Sequence, residues 1–133
     1  MLYLIKLYVV SLLVFLLVDM LWLGVIAKKL YSDKLGYLMA PQINWLAAFL
    51  FYILFIAGLV FFVLHPAIKQ QSWSYAIYAG LLFGFICYAT YDLTNLATIK
   101  DWPLSVTIID LIWGAFISAF TAGASYLILT KWL

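Results

Sequence analysis

The sequence predicts an all-α fold: a four-helix transmembrane bundle with both termini on the same side of the bilayer. Three observations carry that prediction. Apolar residues make up 69% of the chain and charged ones 9%, against about 45–50% and about 25% in ordinary soluble domains. Four apolar runs, about 3–27, 44–64, 74–99 and 104–130, are each long enough to cross a hydrocarbon core that takes about 20 helical residues. The connections between them are short and carry most of the lysines, with Gly36, Pro41, Pro66 and Pro103 as breakers. Residues 1–133 therefore read as a single membrane domain whose first partner is the lipid bilayer.

The first run begins with a weak positive start at Lys6, contains Asp19, and ends against Lys28 and Lys29. It is too long for the apolar core of a signal peptide and reads as a retained helix. From Lys28 to Asn44 the chain leaves the core, because Lys28, Lys29, Asp33, Lys34 and Gln42 are polar and Gly36 and Pro41 break helices. Tyr31, Leu35, Tyr37, Leu38 and Met39 place part of this segment in the interface. The second run is expected to end at His65-Pro66, since proline disfavours helix at the residue before it. A turn at Lys69-Gln-Gln-Ser72 leads into the third run, and Lys100-Asp-Trp-Pro103 makes the next turn. There Asp101 is the expected N-cap and Pro103 a first-turn residue of the fourth run. Trp45, Trp73, Trp102 and Trp132 fall at run ends, as an interfacial aromatic belt would. Lys6, Lys69 and Lys131 lie on one side and Lys28, Lys29, Lys34 and Lys100 on the other, so lysine asymmetry sets no orientation.

Polar residues inside the apolar runs carry the chemistry. The stretch from Tyr88 to Thr98 holds Asp92 and Asn95 among tyrosines and threonines, and an ionised side chain at membrane depth costs about 2.5–3.5 kcal/mol or more. Asp19 is nine residues before Lys28, Asp92 eight before Lys100, Asp110 nine after Asp101, and Tyr52 eight after Asn44. At about 1.5 Å of rise per residue, all four sit roughly 12–14 Å from the same membrane face. Three helices thus supply a carboxyl each, and the fourth a phenol, at one level. No lysine shares that depth, so the acids must be protonated, hydrogen-bonded, or matched by a bound cation. Trp22 and Trp113 each follow an aspartate by three residues, on the same helical face. Opposed helix directions put Trp22 nearer the surface and Trp113 deeper, as lid and floor. Asp92 has the richest polar neighbourhood, with Tyr88, Tyr91, Thr94 and Asn95 about it. The candidate ligand- or ion-binding residues are therefore Asp19, Trp22, Tyr52, Tyr88, Tyr91, Asp92, Thr94, Asn95, Asp110 and Trp113, and a metal would fall to Asp19, Asp92 and Asp110.

Helical spacing also marks packing faces. Thr107, Asp110, Gly114, Ser118, Thr121 and Ser125 form one small-polar stripe, and Gly80, Gly84, Cys87, Tyr91, Asn95 and Thr98 another, with Asp92 beside it. Gly80-x-x-x-Gly84 lets a second backbone approach closely.

Much else is excluded. One cysteine and one histidine rule out an internal disulfide, a cysteine-based zinc site and two-histidine haem ligation, and no nucleophile–histidine–acid set is present. No glycine-rich phosphate loop marks a nucleotide site. A net charge of +2 from scattered lysines offers nucleic acid no basic patch. Nothing in the chain forbids a homo-oligomer.

Asp19-x-x-Trp-Leu-Gly24, Phe51-Tyr52, the Tyr88–Thr98 stretch with Trp102-Pro103, and Asp110-x-x-Trp-Gly114 resemble the small membrane proteins of domain-of-unknown-function family 2177. The resemblance spans nearly the whole chain. It implies a bacterial multi-pass protein of the inner (cytoplasmic) membrane and carries over no activity.

Three function classes fit the residues. The first is a binding or transport module whose Asp/Tyr/Asn cluster binds or moves a proton, a cation or a small amine. The second is a lipid- or isoprenoid-modifying enzyme whose aspartates hold a divalent metal through oxygen ligands. The third is a structural accessory subunit whose polar core fixes helix register. A stability that depends on added cation separates the first two from the third, and chemical change in a bound lipid-like molecule singles out the second.

Overall fold

A computed structural model describes residues 2–39, 42 and 44–133. Every regular element among them is helical, and four helices, Leu2–Ile26, Trp45–Lys69, Trp73–Thr98 and Leu104–Lys131, are long and apolar enough to cross a membrane. The first comprises α1 (Leu2–Leu21) and a π-helical turn, Trp22–Ile26. A short α2 (Lys28–Leu35) and a 3-10 turn (Gly36–Leu38) come next, at the membrane edge. The second crossing is α3 (Trp45–Leu59), a π-helical turn (Val60–Leu64) and α4 (His65–Lys69). The third is α5 (Trp73–Thr98) and the fourth α6 (Leu104–Lys131). Leu2, Ile68 and Leu133 line one cleft, which places both termini at the same end of the bundle.

Asn44 and Ser72 cap α3 and α5, their side chains accepting from the backbone N–H groups of Ala47 at 3.2 Å and Tyr75 at 3.0 Å. Asp101 does not cap α6. It takes the left-handed conformation at φ 62°, its carbonyl accepts from the Tyr37 hydroxyl at 2.7 Å, and extended Pro103 is the capping residue. Short polar side chains tolerate that region better than most. Pro41 lies outside the described residues.

The expected stop at His65-Pro66 is also corrected, since the helix continues to Lys69. Proline at 66 leaves the carbonyl four residues earlier, on Phe62, without its N–H donor. The π-turn widens the helix there, and the Tyr75 hydroxyl of α5 donates to the Phe62 carbonyl at 3.4 Å. Inside a bilayer a freed carbonyl needs such a partner. His65 therefore lies within the helix, its Nδ1 3.2 Å from the Tyr3 hydroxyl.

Lipid tails are as apolar as leucine, so close packing and hydrogen bonds, rather than exclusion of water, hold helices together here. α6 is the central element: Val106, Thr107, Asp110, Gly114, Ile117, Ser118, Thr121, Ala122 and Ser125 are all buried along it. From α1, the buried positions Leu7, Ser11, Phe15 and Asp19 recur every four residues and form one line against the interior. On α5 the buried line is Ala76, Gly80, Gly84 and Asp92, also at multiples of four. The expected stripe through Cys87, Tyr91, Asn95 and Thr98 is displaced to the side of that line, with Tyr91 and Thr98 exposed. Its glycines do serve the close approach. A Cβ on Gly80 would stand 2.9 Å from the Ser118 carbonyl oxygen, and one on Gly84 would collide with the Gly114 carbonyl oxygen and Ser118 Oγ.

Gly84→Ala is therefore expected to destabilise the bundle by about 1–3 kcal/mol or more, since two backbones must part to admit the methyl group. Gly24→Ala, where an added Cβ meets nothing within 4 Å, should leave the melting temperature in detergent unchanged or slightly raised. Equal melting temperatures for the two variants would contradict the packing described.

Candidate functional site

The π-turn that ends the first crossing sets the local geometry. Its register shifts to i→i+5 bonding, closed by the Ala27 N–H on the Trp22 carbonyl at 2.7 Å. Such turns recur at functional sites because they re-aim side chains. Ala27, buried, then makes a single-residue bend, and α2 folds back over the end of the bundle. Tyr31 on α2 is thereby carried inward, where its hydroxyl donates to Asp110 Oδ1 on α6 and accepts from Trp22 Nε1 at 3.2 Å. Burial, reinforced by the hydrogen bond to Asp110, holds the Tyr31 phenol above its ordinary range. It stays protonated and remains a donor.

Asp19 is the second anchored acid. Tyr52 of α3 donates to its Oδ2 at 2.8 Å, and Trp113 Nε1 of α6 to its Oδ1 at 3.4 Å. Asp92 is the exception. It has no solvent exposure, and neither carboxyl oxygen has a hydrogen-bond donor among the described residues. The polar group facing it is the Asp110 carboxyl. The sequence expectation that Asp92 would be the best-supplied acid is thus reversed. Side chains three or four residues away on one helix need not turn toward each other's heads, and Tyr88 lays its ring against Gly114 while Tyr91 packs edge-on against Trp102.

Together these helices frame a half-open cavity of about 470 Å³. Asp19 and Asp110 are its acidic members, and Trp22, Phe51, Tyr52, Tyr88, Tyr91 and Trp113 give it aromatic walls, with Leu23, Tyr31 and Cys87 completing the lining. Trp22 and Trp113 do not stand as lid and floor. Their indoles stack at 4.3 Å and 11° and form one wall. A second, outer cleft lies toward the connecting segments and is lined by Leu35, Leu38, Met39, Asn95, Ile99 and Trp102. Leu23, Tyr31, Tyr91 and Asp110 border both spaces, so Asp110 and Tyr31 form the partition between them.

Of the ten residues singled out from sequence, seven therefore line the inner cavity: Asp19, Trp22, Tyr52, Tyr88, Tyr91, Asp110 and Trp113. Asp92 sits behind the wall against Asp110, Asn95 lines only the outer cleft, and Thr94 is exposed, away from both. Trp102, expected in the interfacial belt, is buried and donates to the Thr107 hydroxyl at 3.0 Å. Sequence reasoning missed Tyr31, Phe51, Leu23 and Cys87. For Tyr31 the available signal was its spacing with Leu35, one turn apart on a short helix in a segment otherwise polar. Among the described residues no group of three or more histidine, cysteine, aspartate and glutamate side chains could hold a metal ion. Asp19 stands apart from the Asp92–Asp110 pair, with its own donors.

The family described as "Predicted membrane protein (DUF2177)" matches the chain over residues 4–127, and the chain belongs to it. No curated protein and no solved structure matches the chain.

Removing a donor from a buried carboxyl leaves that group short of a partner and costs about 1–3 kcal/mol. Tyr52→Phe and Tyr31→Phe should each lower stability by that amount, Tyr31→Phe through Asp110 and Trp22 together. Tyr78→Phe, on an exposed phenol, should change nothing measurable. Unfolding of the three variants in mixed detergent micelles checks the ranking.

Proposed function

We propose that this membrane protein binds an organic cation, an amine or quaternary ammonium carried on an apolar body, in the aromatic cavity, and holds or moves it within the bilayer. One observation carries the reading: two carboxyls set among seven aromatic rings, with no basic side chain among the described lining residues. A cation over aromatic faces gains about 0.5–2 kcal/mol or more when desolvated, and the carboxyls add a counter-charge in a medium of low dielectric. The apolar walls suit the rest of such a ligand, and the volume falls in the usual range for small-molecule sites, about 300–1,000 Å³.

A hard divalent metal fits less well. It takes six or more oxygen ligands, whereas here the acids are divided between two places and the surroundings are rings. Access favours a ligand that dissolves in lipid. Phe51 on α3 and Tyr91 on α5 line the cavity and are themselves exposed at the bundle surface, so its aromatic wall reaches the side that lipid would contact. The bacterial inner membrane implied by the family resemblance is the setting in which this reading places the protein.

Benzyltrimethylammonium should quench the tryptophan fluorescence of the detergent-solubilised protein saturably, because Trp22 and Trp113 form one wall. Its neutral isostere, with carbon in place of nitrogen, should bind about tenfold more weakly, the worth of the charge in such a cage. Equal affinity for the two compounds, or saturable binding of neither, would refute the reading.

A further inference from the structure

The acid left without a donor lies outside the cation cavity, and its neighbour determines its role. Asp92 is fully buried and its two oxygens accept no hydrogen bond from any donor among the described residues. A carboxylate in that position would be an unpaired buried charge, among the most costly arrangements a membrane helix can hold. The group facing it is another carboxyl, that of Asp110. Two carboxyls can bond to each other only by sharing a proton, and two like charges so placed cannot both persist. The geometry resolves itself if the pair carries one proton between two oxygens.

The groups around the pair offer nothing else to neutralise it. From α2 comes Tyr31, bonded to Asp110; from α5 come Tyr88, toward Asp110, and Tyr91; Asp19 and its donor Tyr52 lie beyond Tyr88. All are acids or neutral phenols. No lysine or histidine among the described residues lines the cavity or the outer cleft. Asp110 itself borders both spaces, so one carboxyl touches the cation cavity, the cleft toward the connecting segments, and Asp92.

We propose that Asp92 and Asp110 form a carboxyl pair holding one proton, and that a cation entering the aromatic cavity displaces that proton into the outer cleft. This rests on the cation-binding reading above and adds to it the coupling. The exchange balances: one positive charge enters beside Asp110, the shared proton leaves to water in the cleft, and the net charge of the buried site is the same before and after. Conserving that charge is what makes both states tolerable at membrane depth. Asp92 acts here as the proton-holding partner of Asp110, behind the cavity wall, and Tyr31 as the positioning residue that orients Asp110 between the two spaces.

The test uses the wild-type protein in detergent micelles and benzyltrimethylammonium, which carries a permanent charge and no exchangeable proton of its own. Titration calorimetry in two buffers of different ionisation heat should show about one proton released per cation bound. Apparent affinity should rise about tenfold per pH unit on the acid side, as linkage requires. Infrared difference spectra should show the carbonyl stretch of a protonated carboxyl lost on adding the cation. In Asp92→Asn, whose amide can donate to Asp110, binding should become independent of pH and release no proton. Saturable binding by wild type with no proton released, at an affinity indifferent to pH, would overturn the exchange and leave the cation site standing. Proton release from Asp92→Asn equal to that of wild type would overturn the role of Asp92. An absence of saturable binding would remove the cation site and the exchange together. Should Asp92→Asn fail to fold, the wild-type calorimetry and infrared measurements decide the matter alone.

Discussion

The approach of α5 to α6 across Gly84 and Gly114 is the contact on which the rest of the molecule depends. With no side chain between them, the two backbones come close enough that Gly84 faces the Gly114 carbonyl and Ser118, while the Tyr88 ring occupies the space over Gly114. Continuing along α5 by multiples of four from Gly80 and Gly84 leads to Asp92, and backing along α6 by four from Gly114 leads to Asp110. Two acids on adjacent helices are thereby driven together, each lying on the same buried line as the glycines that make the close contact. In a bilayer, where apolar contact alone distinguishes little between one helix pairing and another, close backbone approach is the available way to enforce such a juxtaposition.

The three intramembrane acids are supplied in different ways. Asp19 receives two neutral donors from two other helices, and Asp110 a phenol from outside the spanning segments. Asp92 receives only a second carboxyl. A polar core that merely fixed helix register would be expected to satisfy each member, because a half-satisfied network costs more than an apolar one. Among the three acids, the one without a donor is the one that does not reach the cavity. The aromatic wall and the donor-poor pair are thus separate features joined through one residue, Asp110.

Much of the architecture comes from patterns that sequence displays directly. Long apolar runs, lysine-rich breaks and the glycine pair locate the helices and their closest contact, since these depend on residue type and spacing alone. Counting residues from the nearest charged turn also brings Asp19, Tyr52 and Asp110 into one region, because depth in a straight helix is nearly linear in residue number. Where straightness fails, so does the count. The π-turn at Trp22–Ile26 and the bend at Ala27 turn the chain beyond them, so Tyr31 enters a place that depth counting assigns to no residue outside the spans, and Trp22 stacks on Trp113 instead of lying above the site. Pro66 misleads for a related reason: its missing N–H is a helix terminator only if the freed carbonyl finds nothing, and Tyr75, on another helix, supplies what local sequence cannot reveal. Asp92 shows the limit of neighbour counting, since polar residues nearby along the chain turn their heads elsewhere.

The pairing of Asp19 with Tyr52, and of Asp110 with Tyr31, has a bearing on how the protein is made. Tyr52 follows Asp19 by 33 residues, whereas Trp113 follows it by 94 and Asp110 follows Tyr31 by 79. A chain emerging from its N-terminus can therefore give Asp19 its first donor, Tyr52, as soon as the second crossing is in place, and its second, Trp113, only with the last. Asp92 and Asp110 arrive later and on consecutive helices, so the carboxyl pair can form within the second hairpin before the halves meet. Tyr31 is by then already waiting at the membrane edge, and its bond to Asp110 joins the two halves. Asp92, by contrast, meets its first polar neighbour, Asp110, only when the last crossing is made.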